Sequence, residues 1–137
     1  MTGLVLAFAS AILAAAPYSA EPEQQTSVQT AAITRSCLPI QTIRQTRVVD
    51  DKTVDFITRD GTVWRNTLPN ACPMLGFERA FSYATSIPQL CSVDIITVFQ
   101  QSFGVRQGAS CGLGKFVNIG PDTPANRDRT RKSAKGD

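Results

Sequence analysis

The sequence predicts a mainly β domain: a small, strongly bent sheet or partly open barrel, with one short helical insertion and two disulfides. Three observations carry that expectation. Four cysteines, Cys37, Cys72, Cys91 and Cys111, lie downstream of an uncharged N-terminus. Short runs rich in β-branched and aromatic residues lie between them, separated by Asp-Gly and proline signals. The foldable stretch, 36–120, is of a size that buries only a modest share of its surface, so covalent ties make physical sense.

The chain has 137 residues. Residues 1–20 hold no Asp, Glu, Lys or Arg, and Leu4 to Ala16 form an apolar run ending in small residues. This reads as a signal peptide, with cleavage after Ala20 or Ala16. The run is too short for a bilayer span of ~20 residues, so no stable membrane insertion is expected once it is removed. The expected location is periplasmic or secreted. Residues 21–35, rich in Glu, Gln, Ser, Thr and Ala, read as a flexible leader. Residues 121–137 carry five basic and three acidic groups with almost no apolar residue, and read as a disordered basic tail.

Within 36–120, Cys37-Leu38-Pro39-Ile40 opens the core. Ile43 to Val49 is extended, and Asp50-Asp51 turns the chain. Thr53 to Thr58 places Val54 and Phe56 on one face. Asp60-Gly61 signals a tight hairpin because both residues tolerate positive φ. Val63 to Leu68 returns with Trp64, Asn66 and Leu68 on one face, Trp64 being read as a core anchor rather than a ligand platform. Pro69 ends that strand. Phe77, Ala80, Phe81 and Ala84 recur at helical spacing, which predicts a short helix over 75–84. Cys91 to Phe99 and Leu113 to Ile119 read as two further strands. An oligonucleotide-fold-like or SH3-like barrel would accommodate this order.

Export permits oxidation, and an even cysteine count in such a chain reads as a disulfide framework. Three pairings exist. The favoured one joins Cys72 to Cys91, stapling a middle excursion, and Cys37 to Cys111, tying the start of the core to its end. A zinc site is disfavoured: there is no Cys-x-x-Cys unit and no histidine.

The segments Cys37-Leu38-Pro39-Ile40, Arg65-Asn66-Thr67-Leu68-Pro69, Cys72-Pro73-Met74-Leu75-Gly76-Phe77, Leu90-Cys91-Ser92-Val93-Asp94-Ile95-Ile96 and Gly108-Ala109-Ser110-Cys111-Gly112-Leu113-Gly114-Lys115-Phe116 are distinctive together. In them the chain resembles a family of small exported alphaproteobacterial proteins of uncharacterised function. The resemblance covers Cys37 to about Asn118. It implies compartment and architecture and carries no catalytic roles.

The absence of histidine excludes a histidine-based triad, and paired cysteines would leave no thiolate nucleophile. Asp55 and Asp94 are the candidate carboxylate pair for a small-molecule hydrolase, the least favoured reading. Gly108, Gly112, Gly114 and Lys115 superficially suggest a phosphate loop. The Walker spacing fails, however, and Phe116 stands where Ser or Thr belongs. The expectation is a non-enzymatic exported envelope-binding or accessory module without cofactor, metal or nucleic-acid partner. Its partner would be a cell-envelope protein or an anionic component. The candidate contact residues are Arg65, Asn66, Arg79, Tyr83, Arg106 and Lys115. Arg65 and Arg79 lead because a guanidinium can clamp a carboxylate or phosphate. A self-associating structural module is the alternative, motivated by uncovered strand edges. The net charge of +3 shows no large basic patch for nucleic acid.

Overall fold

The computed structural model describes residues 32–102 and 104–135. The expected signal peptide and residues 21–31 of the expected leader lie outside the described residues. The strands are β1 (Thr34–Arg35), β2 (Cys37–Pro39), β3 (Ile43–Val48), β4 (Thr53–Thr58), β5 (Thr62–Thr67), β6 (Phe81–Tyr83), β7 (Gln89–Cys91), β8 (Ile95–Gln100), β9 (Arg106–Gly112) and β10 (Phe116–Pro121). Helix α1 (Leu75–Glu78) precedes β6, and α2 (Pro124–Ala134) follows β10.

The strands form three separate sheets, with orders β1-β10-β5-β4-β3, β2-β7 and β6-β8-β9. This corrects the expected single bent sheet or barrel. The chain leaves the large sheet at Leu68-Pro69, where proline cannot continue the ladder. It re-enters at Phe116, and the segment between builds β6 to β9, of which β7 pairs back with β2 near the start of the domain. Curling is not what closes the core. All three sheets contribute to one cluster: Val54, Phe56 and Phe116 from the first, Leu38 and Leu90 from the second, Ile96 and Val98 from the third. Phe56 meets Phe116 edge-on at 5.4 Å and Phe81 at 6.3 Å, joining the large and three-stranded sheets. Such edge-to-face pairs add stability beyond area burial.

The β4–β5 hairpin forms as its sequence suggests. Gly61 has φ 84, and its N–H donates to Thr58 O at 2.9 Å. The Asp60 carboxylate accepts from the Thr58 hydroxyl and from the N–H and hydroxyl of Thr62. Those bonds, the one from Thr58 foremost, lower its pKa from the ordinary 3.8. Alternation also holds: Phe56 pairs Trp64 and Val54 pairs Asn66 on the core face, while Asp55 pairs Arg65 on the other.

Other expectations fail for tertiary reasons. The helix expected over 75–84 spans only Leu75–Glu78 and ends at Arg79 in the left-handed region, φ 53. Phe77 is exposed. Phe81–Tyr83 instead pairs with β8, so Phe81 and Tyr83 reach the core from a strand. The glycine-containing stretch around Cys111, weighed above as a phosphate loop, is strand β9, paired with β8.

The disulfides are Cys37–Cys91 and Cys72–Cys111, not the favoured pairing. Pairing of β2 with β7 sets Cys37 directly opposite Cys91. Cys111, on β9, ties the loop after β5 to the three-stranded sheet. Each bridge typically contributes about 2–4 kcal/mol.

The end of the expected leader is ordered too, since Thr34–Arg35 pairs with β10. The tail expected to be disordered carries α2. Thr123 caps it by accepting from the Asn126 N–H, and Pro124 follows, where a missing N–H costs nothing. The helix is anchored by charge. Asp122 lies between Arg127 of α2 and Arg47 of β3. Arg127, then Arg47, hold the Asp122 carboxyl down from 3.8 to about 2 against the opposing effect of burial. A carboxyl with a depressed folded pKa stabilises the fold above its unfolded pKa, and that contribution is lost as pH falls through the folded value. We therefore expect the helical circular-dichroism signal and the urea midpoint to fall between roughly pH 4 and 2. Arg127→Ala should move that loss to higher pH; coincident acid profiles for the two proteins would refute the anchor.

Candidate functional site

Two polar features are built by the large sheet, one on each face. On the face away from the core, register aligns Arg47, Asp55 and Arg65 across β3, β4 and β5. The Asp55 side chain is fully buried. Arg65 donates to it from Nε at 2.8 Å and Nη2 at 3.1 Å, and Arg47 from Nη2 at 3.2 Å. Arg65 also donates to the Thr130 hydroxyl of α2 at 2.5 Å, and Arg47 to Asp122 at 3.1 Å. A buried carboxylate between two guanidiniums is satisfied and structural. Arg47 Nε is buried without a hydrogen-bond partner among the described residues.

This geometry reassigns the leading candidate. Arg65 is committed to Asp55 and Thr130. Arg79 stands exposed after α1, with its Nε directed at Gly76 O at 3.3 Å; among the described residues the two arginines share no partner. Asn66 is buried and brackets the Gly114 peptide, donating to its carbonyl at 2.6 Å and accepting from its N–H at 2.8 Å. Tyr83 packs beside Phe81, with ring centroids 6.4 Å apart. Arg106 and Lys115 are exposed on the opening residue of β9 and the loop before β10. The candidate carboxylate pair of the least favoured reading does not form. Both Asp55 oxygens are taken by arginine, and Asp94 accepts from the Cys91 N–H at 2.7 Å.

On the core face, toward the β4–β5 hairpin, the covering elements stop short. They leave an open cleft of about 590 Å³. Trp64 and Asn118, paired neighbours on β5 and β10, line its floor. Ile33 and Arg35 border it from β1 and the residue before, Leu38 and Pro39 from β2, and Arg59 and Asp60 from the hairpin. The Arg35 guanidinium lies 4.8 Å from the centroid of the Trp64 ring, within cation–π range. Trp64 is thus both part of the core and part of the cleft lining. Among the described residues neither Arg35 nor Arg59 forms an ion pair, whereas the Asp60 oxygens are engaged by threonines. The cleft therefore presents cationic donors beside apolar surface, an arrangement suited to an anionic group attached to an apolar or ring portion.

The residues forming this cleft carry little sequence signal. Arg35 falls in the expected leader, and Arg59 is an ordinary turn residue. Only the approach of β1 and the hairpin to the same end of the sheet brings them together. Among the described residues no group of side chains is arranged to hold a metal ion, and no helix is long and apolar enough to cross a membrane. No family model, no curated protein and no solved structure matches the chain.

Proposed function

We propose that this chain is an exported, non-enzymatic binding module of the cell envelope, belonging to the alphaproteobacterial family it resembles. In this reading the cleft over Trp64 holds the anionic group of an envelope component. One observation carries it: Arg35 and Arg59 border a single cleft without an acidic partner among the described residues. Two such cations at the rim of a cleft floored by Trp64 and Asn118 form a ready clamp for carboxylate or phosphate oxygens. The export-like N-terminus and the paired cysteines support the compartment.

The chain has one tryptophan, so its emission reports on the cleft. Titration of the oxidised protein with size-fractionated anionic envelope extract should give a saturable change, weakened by added salt. A matched neutral fraction should give none. Arg35→Ala/Arg59→Ala should lower the affinity by about tenfold or more, since a hydrogen bond to a charged group contributes about 1.5–3 kcal/mol. The double variant must retain the wild-type urea midpoint. A folded double variant that binds as tightly as wild type would remove the site from this cleft. No saturable response to any anionic fraction would reject the reading.

A further inference from the structure

We infer, on the reading that this cleft binds an envelope component, that Asn118 touches the ligand and that the ligand is an acylated amino acid. Such a group carries a carboxylate, an amide carbonyl and an apolar side chain on one residue, as at the C terminus of a peptide.

The orientation of one amide points to this. The Gly120 N–H donates to Asn118 Oδ1 at 2.8 Å. A backbone N–H can meet only the oxygen end of an amide, so the Nδ2 end is fixed as well. Asn118 Nδ2 has no acceptor among the described residues and is not shut away from solvent. Its residue lines the cleft beside Trp64. The backbone holds that orientation. The β10–β5 register shifts between Asn118 and Pro121, where Gly120 has φ 95, and a bulge of this kind re-aims a side chain. Asn126 of α2 braces the bulge, donating through Nδ2 to the Ile119 carbonyl at 3.3 Å and the Pro121 carbonyl at 2.7 Å. The Asn118 N–H donates to Ile33 O at 2.8 Å. A donor already held in place costs little ordering when a ligand meets it.

The other lining residues set the rest of the ligand. Arg35 and Arg59 supply charge for a carboxylate. Asp60 is the only acid among the described residues of the lining, and threonine hydroxyls and the Thr62 N–H occupy its oxygens. A hydroxyl-rich ligand would bring donors for which that carboxylate has little capacity left. Ile33, Leu38 and Pro39 offer apolar surface, with Ile33 58% exposed. Inorganic phosphate has nothing to set against them. A neutral donor between two cations and apolar surface instead matches a carbonyl that lies between a carboxylate and an apolar side chain.

Titration of the oxidised protein, followed by nitrogen-15 NMR, tests this with N-acetylleucine, isocaproate, N-acetylleucinamide and inorganic phosphate. Isocaproate keeps the carboxylate and the apolar group but lacks the amide; N-acetylleucinamide lacks the charge. N-acetylleucine should bind about fivefold more tightly than isocaproate, the effect of one neutral hydrogen bond, and more tightly still than the other two. It should move the Asn118 side-chain NH₂ signals, which isocaproate should leave in place. Asn118→Asp keeps an acceptor for the Gly120 N–H and removes the Nδ2 donor. Its added charge weakens both acids alike, so the ratio of their affinities should fall to about one. If that variant does not fold, the wild-type ratio and the NH₂ signals decide. A tripeptide acetyl-Ala-Ala-Leu that binds more tightly than N-acetylleucine would assign the ligand to a peptide C terminus; equal affinity would assign it to the acylated amino acid alone, and both support the inference. A wild-type ratio of one, unmoved Asn118 signals, a ratio that survives Asn118→Asp, or phosphate bound as tightly as N-acetylleucine would each overturn it. In those cases a saturable, Arg35- and Arg59-dependent response to anionic envelope extract would leave the cleft as a site for another ligand, whereas its absence would reject the cleft as well.

Discussion

Gly114→Ala should destabilise the oxidised protein by roughly 3–5 kcal/mol, read as a lowered urea midpoint. A Cβ built on Gly114 would lie 2.1 Å from the carbonyl oxygen of Thr67. The obstacle is backbone in β5 and cannot rotate aside. The loop before β10 would have to move outward, and that movement would separate Gly114 from Asn66. Asn66 is fully buried and both ends of its amide are used by the Gly114 peptide. Retreat of the loop would leave a donor and an acceptor without partners, each costing about 1–3 kcal/mol. Gly112→Ala is the internal control, because open space surrounds that position; it should change stability by less than about 0.5 kcal/mol. Equal midpoints for the two variants would show that the Thr67–Gly114 approach is not needed.

Asp55→Ala should cost about 3–5 kcal/mol, because removing one member of a buried ion cluster leaves the others uncompensated. Arg65 would lose both of its carboxylate bonds, and Arg47 one of two. The loss should reach beyond the sheet. Arg65 is held where it meets Thr130, so the helical signal of α2 should fall with the midpoint. The triple replacement Arg47→Met/Asp55→Leu/Arg65→Met should recover much of the stability, since well-packed apolar groups can replace a buried ion cluster at little cost. It should not restore the polar contact to Thr130. A single Asp55→Ala variant with wild-type stability and intact α2 would mean that the cluster does not hold the helix.

These two sites show how much of the fold was legible. β4 and β5 were readable from alternation and from Asp60-Gly61, because a hairpin is specified by neighbours in sequence, and β3 only as an extended stretch. Asp55 was visible as an acid inside an apolar strand, but its arginines come from both adjacent strands, and register between strands is a tertiary quantity. Helix α2 was missed because it has no apolar stripe. Composition assigned it to disorder, yet its anchoring runs through Asp122, Arg127 and Thr130. The error at Phe81–Tyr83 ran the other way: apolar spacing suggested a helix, and the unpaired side of β8 drew the segment into a strand. Periodicity over so few residues does not separate those outcomes.

The candidate site was legible only in part. Trp64 was recognised as an anchor, while Arg35 and Arg59 carried no local mark. Arg65 and Asn66 stood out by sequence and proved to be occupied, one by a buried carboxylate and the other by a glycine peptide. Distinctiveness in sequence here reflects demanding packing as much as an open binding surface.

Composition and short-range pattern were enough to establish a cysteine-tied, mainly β domain and the place of its central hairpin. Those properties depend on residue type and on contacts a few positions apart. Which cysteines join, how the strands divide among three sheets, the docking of α2 and the convergence of Arg35 and Arg59 were decided by the folded chain. Each depends on segments tens of residues apart competing for the same hydrogen bonds and buried surface, a competition that no local window of sequence records.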